Sequence, residues 1–123
     1  MRTRHVIATA ALLLVSTAWL AAQDITGRWT AKFTTQVGEQ EYTFDFVQKG
    51  TQLTGTASGN LLGKSAITEG KIDGSMITFV ENGTYMDMPL RIVYTGTIAK
   101  DEIRFTRNVA EIANEELVAT RAK

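Results

Sequence analysis

Residues 25–30, ITGRWT, place Gly27 two positions before Trp29, which is the only tryptophan after residue 22. Alternate residues of a β-strand point to the same face, so Gly27 leaves space on the face from which the indole projects. In a small barrel the interior is filled by side chains, and a large aromatic group can close its narrow floor. The stretch therefore predicts a first strand that begins at the floor of a β-barrel, with Trp29 inside.

The residues before this stretch have the layout of a secretory signal peptide. Arg2 and Arg4 precede an apolar run from 6 to 20, and small residues precede Gln23. We expect cleavage after Ala22, to within one or two residues because Leu20 stands where a small residue is usual. The expected product is a secreted or periplasmic domain over 23–123, without a membrane span. An uncleaved anchor is the alternative, but the run is short and contains three hydroxyl residues.

The composition after residue 22 excludes several kinds of chemistry. The chain has no cysteine, and its one histidine, His5, lies in the predicted signal peptide. The domain therefore lacks the thiol and imidazole groups of nucleophilic catalysis and of ordinary zinc sites, so we expect no metal and no other cofactor. Without residues 1–22 and their two arginines, 101 residues remain, 11 of them basic and 13 acidic. This slightly acidic balance argues against nucleic acid as a partner.

Eight runs rich in Thr, Ile, Val, Phe and Tyr follow residue 26, with Gly, Asn or Asp between them about every ten residues. This pattern predicts an all-β fold, an eight-stranded antiparallel up-and-down barrel. The predicted strands are 27–35, 40–48, 51–58, 65–72, 76–82, 86–98, 102–107 and 116–122.

Alternation along these runs predicts which side chains fill the interior. The run 65–72 fits poorly, because Ile67 faces out when Ile72 faces in, and this indicates a bulge at Gly70. Asp45, Glu69 and Asp87 fall on the outer face, and no inward carboxylate is predicted. The predicted inward side chains include Trp29, Ala31, Phe33, Tyr42, Phe44, Phe46, Phe79, Met86, Met88, Leu90, Ile92, Tyr94, Ile103, Phe105, Leu117 and Ala119.

An up-and-down order gathers the tight turns at one end and the longer connections at the other. The last connection, NVAEIANEE from Asn108, predicts a short helix capped by Asn108 with Glu111 in a capping box. Val109, Ile112 and Ala113 would form its buried side. Such a helix would either cover the interior or simply pack against the loops.

The two ends of the domain are predicted to meet. Arg121 points inward near the end of the last strand, and it can stack on Trp29 in the space that Gly27 leaves. This clasp would remove both free sheet edges. Gly27, Trp29 and Arg121 on eight antiparallel strands resemble the calycin superfamily of lipocalins, fatty-acid-binding proteins and avidins, and ITGRWT is similar to the start of avidin-type barrels. The resemblance implies a lipocalin-like β-barrel. It does not imply biotin binding, because the predicted domain has a single tryptophan.

The first functional hypothesis is a non-catalytic binder of a small apolar or amphipathic molecule in the barrel interior. Arg107 would lie at the mouth and pair with a ligand carboxylate or phosphate, or else meet Glu111 or Glu115, or stay solvated. The alternative is that the same side chains simply fill the barrel. The predicted ligand-binding residues are Phe33, Tyr42, Phe44, Phe79, Met86, Met88, Leu90 and Arg107.

Two other functions remain open. The first alternative is that the domain is a ligand-free structural or interaction module associated with exported proteins. A carboxylate-dependent glycan hydrolase is the second alternative, but it needs two carboxyl groups that face one cleft, and the predicted outer face separates them. We predict no catalytic residues.

Overall fold

The computed structural model describes residues 24–123, so the predicted signal peptide over 1–22 and its cleavage site lie outside the described residues. Each strand pairs antiparallel with the next, and the last pairs with the first, which closes a barrel in sequence order. The predicted eight-stranded up-and-down barrel is confirmed. Its strands are β1 Gly27–Thr35, β2 Gly38–Lys49, β3 Gln52–Gly59, β4 Gly63–Asp73, β5 Met76–Tyr85, β6 Met88–Ala99, β7 Glu102–Val109 and β8 Ala113–Arg121.

Aromatic rings fill the middle of the barrel. Phe44 is fully buried, and its ring centroid lies 5.4 to 6.0 Å from those of five other aromatic residues. Phe79 and Tyr94 stack with centroids 4.4 Å apart. Gly96 makes room for this packing, because a Cβ there would lie 2.6 Å from the ring of Phe105. The five neighbours of Phe44 are Tyr42, Phe46, Phe79, Tyr94 and Phe105.

Strand β4 carries a bulge where the sequence predicts one. The pairing of β4 with β5 shifts between Thr68 and Lys71, and a Cβ on Gly70 would lie 2.1 Å from the carbonyl oxygen of Leu53. One extra residue inverts the alternation, so Ile67 and Ile72 are both buried. Simple alternation places Ile67 outside, and the predicted bulge accounts for its burial.

The connection between β7 and β8 is a turn, and the predicted short helix over it is wrong. β7 continues to Val109 and β8 begins with Ala113, so ladder pairing uses the backbone groups that a helix would need. The backbone N–H of Glu111 does donate to Asn108 Oδ1 at 3.0 Å, but this bond closes the turn. Ile112, predicted to be buried, is 85% exposed. No helix within residues 24–123 is long and apolar enough to cross a membrane.

Short turns close both ends of the barrel. At one end, which we call the floor, two-residue turns join β2 to β3, β4 to β5 and β6 to β7, and the chain enters β1 and leaves β8. At the other end, which we call the rim, the connections are 36–37, 60–62, 86–87 and 110–112. The connections at the rim are shorter than predicted. Much of the sequence assigned to them belongs to strands, because the ladders continue through polar residues up to the rim.

The contact between β1 and β8, which we call the seam, is the shortest ladder of the barrel. Only Trp29 with Arg121 and Thr30 with Thr120 are paired there, both near the floor. Residues 31–35 of β1 and 113–119 of β8 form no ladder pairs with each other. The clasp therefore closes the barrel at its floor, and the expected removal of both free edges is only partial.

Candidate functional site

The aromatic side chains among those predicted to line a ligand pocket pack against one another. Tyr42, Phe44 and Phe79 are buried, and Phe33 lies half-buried above them with its ring 5.9 Å from that of Tyr42. Three grooves of about 290 to 470 Å³ instead open on the outer surface of the barrel. Aromatic side chains are therefore in contact with one another in the middle of the barrel.

Arg107 is buried below the rim and bonded to the protein on three sides. Its Nε donates to Glu115 Oε1 at 2.8 Å, and its two terminal nitrogens donate to Tyr94 Oη at 3.0 Å and to Gln40 Oε1 at 3.1 Å. The guanidinium carbon lies 4.8 Å from the ring centroid of Phe33, which covers it from the rim side. Of the alternatives predicted for Arg107, pairing with Glu115 is the one observed. The side chain is only 1% exposed, so it does not lie at the mouth.

Glu81 is a buried carboxylate, and the prediction that no carboxylate faces inward is wrong. It follows Ile77 and Phe79 at alternate positions of β5, and it is 0% exposed. Tyr42 Oη donates to Glu81 Oε2 at 2.7 Å, and Tyr94 Oη donates to Oε1 at 2.8 Å. Alternation along β5 places Glu81 on the same face as Ile77 and Phe79, so the sequence pattern was sufficient to predict that Glu81 points inward.

These residues form one network, which we call the polar layer: Gln40, Tyr42, Glu81, Tyr94, Arg107 and Glu115. Arg107 Nη1 also lies 3.8 Å from Glu81 Oε1, so one cation lies between two carboxylates. None of the layer's side-chain polar atoms is buried without a partner within residues 24–123. The layer therefore connects five strands, β2, β5, β6, β7 and β8, across the barrel below the rim.

Burial controls the protonation of the polar layer. It raises the pKa of Glu81, although the hydrogen bonds from the two tyrosines and the charge of Arg107 act in the opposite direction. Burial also raises the pKa values of Tyr42 and Tyr94 above their ordinary value, so both hydroxyls stay protonated donors near neutral pH. Because Glu81 has no contact with solvent, a substrate reaches it only if the barrel opens. The layer as found is suited to holding strands together.

Large apolar side chains are exposed at the rim. Met86, which we predicted to face inward, is 81% exposed in a turn. Met88 lies at the first position of β6 and is 63% exposed, whereas Leu90, two residues further in, is half-buried against the core. Each of the four rim connections, or a residue beside it, contributes at least one such side chain. The apolar rim consists of Val37, Leu61, Met86, Met88 and Ile112.

The floor has the opposite character. Its three turns are Gly50–Thr51, Gly74–Ser75 and Lys100–Asp101, without a large apolar side chain. Met76, which is 44% exposed beside one of them, is the nearest counterpart of the rim methionines. The molecule therefore has a polar end and an apolar end.

The two chain ends meet at the floor. Trp29 is fully buried, its Nε1 donates to the carbonyl oxygen of Ile25 at 2.9 Å, and the guanidinium of Arg121 lies 4.5 Å from the centroid of the indole. Arg121 also donates to the carbonyl oxygen of Asp24 at 2.8 Å. A Cβ on Gly27 would lie 3.5 Å from an Arg121 nitrogen, which is an ordinary van der Waals contact. Glycine is therefore favoured at this position by its backbone φ of +133°, and the prediction that it leaves space for the stacking is wrong. Residues 24–123 contain no group of three or more acidic, histidine or cysteine side chains that could hold a metal ion.

No protein-family model matches this chain, and no curated protein or solved structure is significantly similar to it. Function is therefore inferred from the barrel and from the side chains described above.

Proposed function

We propose that this chain is an exported interaction module that binds a partner protein through its apolar rim and carries no small molecule inside. The observation that carries the proposal is the exposure of large apolar side chains at all four rim connections, above an interior that is already packed. Apolar side chains that cluster at one end of a small domain are typical of binding surfaces.

The composition of the apolar rim supports a protein partner. Two of its five members are methionines, whose unbranched thioether side chains adapt to irregular apolar surfaces. Complete burial of one such side chain is worth about 1.5 to 3 kcal/mol, so a few of them suffice for specific association after its entropic cost. The half-buried side chains of Phe33, Leu62, Leu90 and Val109 pack against the core.

We also propose that the domain is related to the calycin superfamily. The closed antiparallel barrel of eight strands is compatible with it, and support comes from Gly27, Trp29 and Arg121, which meet at the floor as the resemblance implies. The short turns at the rim distinguish this domain from a barrel with a lid.

A second candidate function is the binding of a small amphipathic molecule below the rim. Arg107 favours it, because this buried cation lies 4.8 Å from the centroid of the half-buried ring of Phe33. A ligand carboxylate would have to replace Glu115, which is 18% exposed, as the partner of Arg107. Binding of a fatty acid tighter than about 100 μM, with a rise in melting temperature, supports this second candidate and opposes the first.

A photoreactive side chain placed at the rim tests the interaction module. A diazirine amino acid replaces Met88 in one variant and Met76 in the matched control, because both are exposed methionines, at the rim and at the floor respectively. Irradiation of cells that produce the protein is expected to yield an adduct of one defined mass from position 88 and none from position 76. The added substitution Met86→Ser is expected to reduce the yield from position 88. Equal adducts from both positions, or none from either, would contradict the proposal.

A further inference from the structure

The seam leaves hydrogen-bonding groups of two strands without ladder partners. The ladder between β1 and β8 ends at Thr30 and Thr120, and the backbone N–H of Ala122 donates to the carbonyl oxygen of Arg28 at 2.9 Å. In an antiparallel ladder the residues that bond across one side recur at every second position. The N–H and C=O groups of Lys32 and Thr34 on β1, and of Asn114, Glu116 and Val118 on β8, are therefore directed toward the seam.

Unpaired strand edges of this kind are templates for another strand. The strands of this barrel are otherwise joined by ladders of at least five residue pairs, so the seam is the place where a further strand finds free partners. Residues 31–35 span about 17 Å, which is the length of a five-residue strand. The side chains of Lys32, Thr34, Glu116 and Val118 are all exposed, so solvent reaches this edge.

A groove of about 470 Å³ lies at the upper part of the seam. Thr34, Thr35 and Gln36 form one wall, and residues 113–116 form the other. The charged residues that line it are Glu115 and Glu116. Glu115 is paired with Arg107, so the exposed acidic group of the groove is Glu116. Small or apolar inward residues flank the seam below it, Ala31 on β1 and Leu117 and Ala119 on β8.

We propose that the seam binds an extended, basic segment of another polypeptide as an added β-strand. Its backbone would hydrogen-bond to the free edge of β1 or β8, which is strand addition as other sheets use it. One face of the segment would place apolar side chains toward Ala31 and Ala119. Its other face would place basic side chains toward Glu116. The groove reaches the rim at Gln36 and Ala113, but the proposed hydrogen bonds lie on the wall of the barrel, below the apolar rim.

A pair of synthetic peptides tests the backbone bonding. The probe is a blocked heptapeptide of alternating valine and lysine, and its control is the same peptide with N-methyl groups on alternate residues, which removes N–H donors and leaves the charge unchanged. Saturable amide shift changes in ¹⁵N-labelled protein are expected at 31–35 and 113–119. Because two or three backbone hydrogen bonds are lost, the methylated peptide is expected to bind at least about tenfold more weakly. A third peptide with glutamate in place of lysine is expected to bind more weakly than the probe.

A reversible closure of the seam gives a second test. The chain has no cysteine, so Lys32→Cys with Val118→Cys introduces one pair that faces across the seam in the continued register. Thr95→Cys with Thr106→Cys is the matched control on a fully paired ladder. Oxidation is expected to abolish peptide binding in the seam variant and reduction to restore it, whereas the control variant binds in both states.

Several outcomes would overturn the proposal. They are the absence of saturable binding by the wild-type domain up to about 1 mM peptide, equal binding of the methylated peptide, and shift changes centred on the apolar rim. The peptide comparison uses the wild-type domain, so it decides the matter even if a cysteine variant does not fold. Photocrosslinking from Met88 does not involve the seam, so failure here and failure of the proposed function are separate results.

Discussion

Replacement of Arg107 by methionine is expected to destabilise the domain strongly. Methionine keeps most of the apolar stem of the side chain but removes the cation between Glu81 and Glu115, together with the bonds to Tyr94 and Gln40. Removal of one partner from a buried ion pair costs about 3 to 5 kcal/mol, because the remaining charge stays buried. For a domain of this size the loss corresponds to a fall in melting temperature of roughly 15 to 30 °C.

The destabilisation by Arg107→Met is expected to depend on pH. Arg107 lowers the pKa of Glu81, which burial raises, so in the variant this pKa rises further. An acid whose pKa is higher in the folded state contributes its full stability below the unfolded value, here 4.5, and loses it as pH rises through the folded pKa. The free energy of unfolding of the variant should therefore fall further than that of the wild type as pH rises above 4.5.

Urea denaturation of both proteins at pH 5 and pH 8, followed by the fluorescence of Trp29, measures this difference. Arg91→Met is the matched control, because Arg91 also contacts a carboxylate, Glu69, at 2.8 Å, but both side chains are more than half exposed. No measurable change in stability is expected from it. A loss below about 1 kcal/mol for Arg107→Met, or the same loss at both pH values, would refute the role assigned to the polar layer.

Three further predictions concern the rest of the barrel. Gly70→Ala is expected to cost roughly 2 to 4 kcal/mol in urea denaturation, because its Cβ would meet a backbone carbonyl; Gly50→Ala, whose Cβ would meet nothing at φ +63, should cost only about 1 to 2 kcal/mol. Arg121→Met is expected to lower the free energy of unfolding by about 1 to 2 kcal/mol through loss of stacking on Trp29, and an unchanged value would refute the clasp. Glu81→Gln should remove the loss of stability that ionisation of Glu81 is expected to cause as pH rises above 4.5, and an unaltered pH profile would be inconsistent with a raised pKa.

The fold was predictable because most strands of the barrel have a clear inner and outer face. Trp29, Phe44 and Tyr94 lie inside at the positions that alternation gives, and Arg121 lies on Trp29. Alternation failed locally at Ile67, because one extra residue in a bulge inverts the pattern. It also failed for Met88, which has the inward phase but lies at the rim, beyond the side chains that would cover it.

The polar layer was largely missed for a different reason. A charged side chain is usually exposed, so Glu81 was not expected inside although Ile77 and Phe79 lead to it. Its burial depends on Tyr42, Tyr94 and Arg107, which come from three other strands, and no local pattern shows that they meet. The helix predicted at Asn108 was wrong because the capping bond also fits a turn, and pairing between β7 and β8 decided between them.

The central claim is that the interior is full and that binding takes place at the rim. The most direct test is a titration of the ¹⁵N-labelled domain with laurate, a twelve-carbon fatty acid, followed by the amide signals of Phe44, Phe79 and Phe105. These signals should not move, and any shift changes should be confined to the rim connections at 36–37, 60–62, 86–87 and 110–112. Saturable shift changes at the three phenylalanines with one laurate per chain would contradict the claim, because they would show that a ligand enters the barrel.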